Sequence, residues 1–247
     1  LKLDLMNFSK KIKKYDYGNI NIGYYDKIFK KKNGIQSAWH NIKFNYVKDE
    51  IKKTNVHLDI GCGPGTFLGQ LKNKKTYGID ISKKQIIYAK KKYQNKNKKF
   101  KIMEKNKIPF KSKTFDSISL IELIEHLTNN EIKLILLEAH RTLKKNGELL
   151  ITTPNYFSIW PFLELIVNKF TKLSYEDQHI NKFNKFNIKN IFKKKKFKII
   201  CIKSFLLLSP FLAFLSFQIS LKFIKLDNFF TKIIPGHLLF IKLKKLY

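Results

Sequence analysis

Arginine is almost missing from this 247-residue chain: Arg141 is the only one among 50 basic residues, and the rest are lysine. Acidic residues are few as well, 18 in all, which leaves a formal net charge of +32. Such a charge suits an anionic partner, either nucleic acid or a membrane surface. The lack of arginine speaks against a dedicated nucleic-acid groove, where bidentate and stacking contacts favour that residue. Abundant Ile, Asn, Phe and Tyr beside Lys fit the codon bias of an AT-rich genome, and that is the preferred source of the charge. Cysteine is scarce too. Cys62 and Cys201 stand far apart, outside any CxxC or Cys/His pattern, so neither a disulfide framework nor a thiolate zinc site is expected. A reduced, intracellular protein follows. The N-terminal segment carries Lys10, Lys11, Lys13 and Lys14 and no apolar run ahead of a small-residue cleavage site, so a cytoplasmic location is expected.

What is present is a core. Hydrophobic residues make up 44 %, enough for one α/β domain at this length. Residues 1–34 read as a basic N-terminal segment without clear period, and 35–247 as the domain. Ile35, Trp39, Ile42, Tyr46 and Val47 recur at helical spacing and predict a helix over 35–53. Strands and helices then alternate. Strands are predicted at Val56–Ile60, Thr76–Ile81, Lys99–Met103, Phe115–Ile121 and Glu148–Thr153, with a helix capped by Ser82 after the second. Thr128 and Glu131 form a capping box for another helix, and Asn146-Gly147 reads as its left-handed stop. Beyond Pro154 come a lid-like helix at 156–171, a helix over Asn187–Lys196, a strand Phe197–Lys203 and a last strand His237–Leu243. Alternation of this kind implies a parallel sheet covered on both faces.

The strongest motif runs from His57 to Thr66, HLDIGCGPGT. A strand delivers Asp59 to its carboxyl end, and glycines at alternate positions let the backbone turn tightly and approach a ligand. The spacing is G-x-G-x-G, which is not the dinucleotide fingerprint. A carboxylate two residues before the first glycine suits the ammonium of an amino-acid-like ligand and would repel a pyrophosphate. Asp80, at the end of the second strand, can accept both hydroxyls of a ribose.

These residues resemble motif I of the class I methyltransferases that use S-adenosylmethionine (SAM). YGIDIS resembles their second motif. The segments KIPFKSKTFDSISLIELIEHL and LLEAHRTLKKNGELLITTPN are similar to the branch that includes ubiquinone-pathway O-methyltransferases. The resemblance is dense over residues 55–155. It implies a Rossmann-like three-layer α/β/α sandwich, with a seven-stranded, mostly parallel sheet whose last strand is antiparallel. It also implies SAM as cofactor, with Asp59, Gly61, Cys62, Gly63 and Gly65 against its methionine part, Asp80 and Ile81 at the ribose side, Glu104 near the adenine, and Glu122 close by. The implied reaction is methyl transfer, with O-methylation of a small or lipophilic hydroxyl compound (a quinone, lipid or sugar precursor) as the leading expectation. RNA methylation and a catalytically silent SAM-binding protein at a membrane are the alternatives. No Asn/Asp-Pro-Pro-Tyr sequence follows the fourth strand, which lowers the expectation of base N-methylation.

Two weaker constellations remain. Glu122, Glu125 and His126 have donors and spacing suited to a hard cation such as magnesium, which could activate a substrate hydroxyl. The competing reading is a structural Glu-His pair. His126 and His179 are candidate general bases, since imidazole titrates near neutrality, and His179 could also complete a metal set. Residues 204–235 form a hydrophobic insertion that opens with 18 uncharged residues, Ser204–Leu221. A membrane crossing there would separate the last two strands, so the choice lies between a lid over the substrate pocket and a contact with an anionic membrane surface.

Overall fold

Strands that are apolar on both faces need cover on both faces, and the chain supplies it. The computed structural model describes residues 21–104, 107–170, 179–192 and 197–247. Residues 1–20 of the basic segment, Thr171 of the predicted lid helix and Lys193–Lys196 of the next predicted helix lie outside them.

Seven strands build one sheet: β1 (Val56–Ile60), β2 (Lys75–Asp80), β3 (Lys98–Ile102), β4 (Phe115–Ile121), β5 (Leu143–Pro154), β6 (Phe197–Phe205) and β7 (Leu238–Lys245). Their order is β3-β2-β1-β4-β5-β7-β6. The first five pair in parallel, and β7 runs antiparallel between β5 and β6. Two apolar layers sandwich the sheet. Leu58, Ile60, Ile118 and Leu120 pack against α5 (Asn129–Thr142) through Ile132, Ile135 and Leu136. On the other face lie α2 (Gly34–Glu50), α3 (Thr66–Gly69) and α4 (Lys83–Tyr93), whose Ile42, Phe67 and Ile86 belong to one buried cluster with Leu150 and Phe240. Side chains of this kind contribute roughly 1.5–3 kcal/mol each when buried.

Local signals held where a specific side chain enforces them. Ser82 accepts the Gln85 N–H, and the Thr128–Glu131 capping box is complete. They failed where packing or competing polar groups intervene. Asn146-Gly147 does not stop α5. The helix ends at Thr142, and Asn146, left-handed at φ 62, lies within β5 where its register against β4 shifts between Phe115 and Ser117. The pair serves a bulge instead of a cap. The lid-like helix begins late, as α6 (Trp160–Phe170), because Asn155 accepts the Phe157 N–H and Ser158 accepts the Trp160 N–H ahead of it. In place of the helix predicted from Asn187 stands a single 3-10 turn, Ile188–Ile191. Asn184 holds the N–H groups of Phe186 and Asn187 just before it, a local turn that competes with a helix.

One helix had no periodic signal. α1 (Tyr24–Lys31) is anchored through Asp26, which is 1 % exposed. Asp26 pairs with Lys30 at 2.8 Å and accepts from Thr66 at 3.1 Å, Tyr88 at 2.8 Å and Tyr93. Burial opposes its charge, but Lys30 and the two phenols prevail and hold it below the usual carboxylate range.

The insertion between β6 and β7 is helical: a 3-10 turn Phe211–Phe214, α7 (Phe217–Lys222) and α8 (Ile224–Phe230). Its single acidic residue, Asp227, is buried and accepts the N–H groups of Leu207, Leu208 and Ser209.

Candidate active site

The glycine turn after β1 has the backbone its sequence demands. Gly61, Gly63 and Gly65 have φ of 73, 50 and 76. Gly65 is packed, since a Cβ there would sit 2.8 Å from Phe100, whereas a Cβ on Gly63 would meet nothing within 4 Å. The turn therefore keeps an open face at Gly63, where a ligand can lie on the main chain. Asp80 points at that turn, its carboxylate accepting from Gly63 N at 2.8 Å and Ser82 N at 2.7 Å. Burial raises its pKa against those bonds. Ile81, beside it, is 56 % exposed, an apolar surface free for a flat ring. Cys62 is buried, and Glu104 is exposed just past β3.

Asp59 is 3 % exposed and ends a buried polar chain that crosses β1 and β4. Ser119 donates to Asp59, His57 Nε2 lies 3.0 Å from the Ser119 hydroxyl, His57 Nδ1 lies 2.7 Å from Ser117, and Ser117 donates to Thr54 at 2.9 Å. Burial, with the Asp80 charge adding to it, pushes Asp59 up to about 7 despite the Ser119 bond. Burial, then Lys74, pushes His57 down to about 3, so the imidazole is neutral.

The segment after β4 separates the residues predicted to share a cation. Glu122, left-handed at φ 49, turns toward α2. There it pairs with Lys43, whose side chain is 2 % exposed, and lies 3.5 Å from Trp39 Nε1. Burial would raise its pKa, but Lys43 and His40 lower it. Glu125 and His126 instead converge on His179, and one ligand atom from each lies within 4.8 Å of the others. Among the described residues, the predicted donors Glu125, His126 and His179 gather, and Glu122 lies outside that group. Glu125 is 1 % exposed, and neither carboxylate oxygen has a hydrogen-bond partner. Burial, then the Glu122 charge, pushes it up to about 8.

Sequence reasoning missed what holds His179. Glu164 of α6, 4 % exposed, sits 2.7 Å from His179 Nδ1. Tyr156 donates to Glu164 at 2.8 Å and lies 2.9 Å from the same ring nitrogen. A carboxylate behind Nδ1 fixes the orientation of the ring beside Glu125 and His126. Above this cluster stands an aromatic wall: Trp39 lies 5.2 Å from Trp160 and stacks on His237 at 6.1 Å, and Phe211 of the insertion meets His237 at 5.8 Å. Only His57-x-Asp59 facing Ser117-x-Ser119, at strand period, left a readable trace of the polar chain.

A reversed last strand, a glycine turn after β1 and carboxylates at the ends of β1 and β2 define a class I SAM-dependent methyltransferase domain. The chain belongs to that family, and residues 36–202 match the family described as "Methyltransferase domain". A ubiquinone biosynthesis O-methyltransferase of Pelagibacter ubique is 35 % identical over 143 residues, 50 % of this chain and 58 % of that protein. A tRNA (guanine-N(7)-)-methyltransferase of Clostridium botulinum is 31 % identical over 179 residues, 67 % of this chain and 76 % of that protein. A SAM-dependent methyltransferase of Thermotoga maritima superposes with a TM-score of 0.63, covering 90 % of this chain and 94 % of its own at 19 % identity, a likeness of fold. The chain spans 58 % of the length of three curated relatives it matches.

Proposed function

We propose that this domain transfers a methyl group from SAM to an oxygen of a small, lipophilic hydroxyl compound. The observation that carries the reading is the Glu125–His126–His179 cluster, buried but for the half-buried His126, at the carboxyl end of the sheet beside a wall of Trp39, Trp160 and His237. SAM supplies an electrophilic methyl on a sulfonium. Asp59 would face its ammonium side, Gly63 leaves the main chain open to it, Asp80 would take the ribose hydroxyls, and Ile81 would lie against the adenine. The acceptor hydroxyl enters between the aromatic wall and His179. His179, oriented by Glu164, or His126 takes its proton as the oxygen attacks the methyl in line.

The unpaired, buried oxygens of Glu125 also fit a divalent cation, since two imidazoles and a carboxylate are a sound donor set. Such an ion would lower the pKa of the acceptor hydroxyl. Glu122 stays outside that set while Lys43 holds it.

Similarity to a tRNA methyltransferase and the +32 charge favour RNA as the second reading. One experiment separates the two. Purified protein is incubated with methyl-labelled SAM, a lipid extract and total RNA, with and without chelator. Label in the organic phase is expected, while label confined to RNA refutes the lipophilic acceptor. Binding of SAM with no label in either fraction supports a silent SAM-binding protein.

A further inference from the structure

We propose that the insertion between β6 and β7 seats the protein on an anionic lipid surface, with the mouth of the active site facing the lipid. The insertion presents apolar side chains to solvent: Phe214 is 84 % exposed, Ile233 78 %, Leu215 74 %, Phe229 56 %, Ile234 51 % and Ile219 48 %. So many exposed apolar tips on one excursion of the chain need an occupant.

The charges identify it. Lys222, Lys225 and Lys232 are exposed among these side chains, and the insertion's only acid, Asp227, is turned inward to hold backbone N–H groups. The surface is therefore apolar and cationic, with no exposed carboxylate, which is the composition that binds an anionic interface. A second copy of the chain fits poorly, because it would bring like lysines together on molecules that each carry +32. RNA fits less well: only Phe214 and Phe229 among these tips could stack on bases, and the Leu and Ile tips offer no platform. The protein would rest on the membrane without crossing it. No described helix is long and apolar enough to span, and α7 and α8 have 6 and 7 residues.

Topology fixes the orientation. β6 and β5 are both antiparallel to β7, so they run the same way. Leu238 pairs with Pro154 at the end of β5 and with Phe205 at the end of β6. The insertion thus leaves the sheet at the end where Gly61 and Glu122 stand. Phe211 touches His237, which stacks on Trp39, so the lipid-facing segment runs into the aromatic wall. On α6 and just before it, Phe157, Ile159, Phe162 and Leu165 are each more than half exposed. The aromatic wall thus joins two apolar segments, the insertion through Phe211 and α6 through Trp160. This placement deepens the lipophilic-acceptor reading and rests on it only for the direction of substrate entry.

Flotation with vesicles tests the docking without any methyl transfer. The probe is vesicles of equal parts phosphatidylcholine and phosphatidylglycerol, with pure phosphatidylcholine as the comparison. Wild type floats with the anionic vesicles at low salt and much less at high salt. The combined variant Phe214→Ser, Leu215→Ser, Ile233→Ser keeps the full net charge, and its floating fraction falls by about tenfold or more. The combined variant Lys222→Glu, Lys225→Glu, Lys232→Glu falls similarly. Because all six positions are exposed, both variants keep the wild-type melting temperature. The proposal is overturned if wild type stays at the bottom at low salt, or if the serine variant floats as well as wild type. It is also overturned if sedimentation shows a wild-type dimer that the serine variant loses while vesicles are ignored. Loss of flotation with SAM-dependent activity intact would sink the docking alone. Flotation with label found only in RNA would sink the acceptor reading alone.

Discussion

Asp59 offers the sharpest perturbation, because its carboxyl is buried and its polar chain has a direction. The substitution is Asp59→Asn, which keeps shape and an oxygen for Ser119. In the folded chain Asp59 titrates near about 7, raised by burial and the Asp80 charge, against an ordinary value of 3.8. Below the ordinary value both folded and unfolded chains hold the proton. Between the two values unfolding releases it, so stability falls as pH rises. Above about 7 both are ionised and the loss is complete. Each decade of proton affinity is about 1.4 kcal/mol, so the full loss is roughly 4 kcal/mol. Asn cannot titrate. The stability of wild type relative to Asp59→Asn should therefore fall between about pH 4 and pH 7, measured by urea unfolding across that range. The hydrogen-bond chain adds a second readout. With Asp59 protonated, its proton can go to Ser119, Ser119 donates to His57 Nε2, and the ring N–H sits on Nδ1, facing Ser117. Once Asp59 ionises, Ser119 donates to it, and the ring proton moves to Nε2. Nitrogen NMR of the His57 imidazole should show this tautomer change in wild type near pH 7 and its absence in Asp59→Asn. If the two proteins have parallel stability curves and one fixed tautomer, Asp59 is already ionised and the reasoning from burial fails.

Three further outcomes follow from the same structure. Glu164→Gln should lower turnover by about tenfold to a hundredfold and change the pH profile while leaving binding of demethylated SAM intact, since it acts through His179; unchanged kinetics would remove it from the site. Gly65→Ala, forced to φ 76 with a Cβ 2.8 Å from Phe100, should cost roughly 1–3 kcal/mol of stability, whereas Gly63→Ala, at φ 50 with open space for its Cβ, should cost about 1 kcal/mol, still fold and weaken SAM binding, as calorimetry and thermal melts would show. Asp26→Ala strips α1 of its anchor and leaves Lys30, Thr66 and two tyrosines without their acceptor, so a loss of about 3 kcal/mol is expected in urea unfolding; a loss below about 1 kcal/mol would show that α1 is held otherwise.

The sequence by itself determined the sheet and the cofactor turn. Alternating apolar runs specify buried parallel strands, and β4 fell on the predicted residues, Phe115–Ile121. Glycine at positive φ is a local necessity, so Gly61, Gly63 and Gly65 could be read one by one. Ser82 and the Thr128–Glu131 box were legible for the same reason: each side chain meets a backbone group three residues away. Tertiary structure decided the rest. α1 exists because Asp26 meets Thr66, Tyr88 and Tyr93, partners 40 to 67 residues distant that no local period reveals. Glu122 and Glu125 are three residues apart, yet the left-handed backbone at Glu122 sends one carboxylate to Lys43 on α2 and leaves the other beside His179. Spacing could nominate these acids, but only the packing of α2 and α6 over the strand ends could assign their partners. Glu164 and Tyr156 carry no motif at all, and they reach His179 because the chain beyond β5 folds back across the end of the sheet.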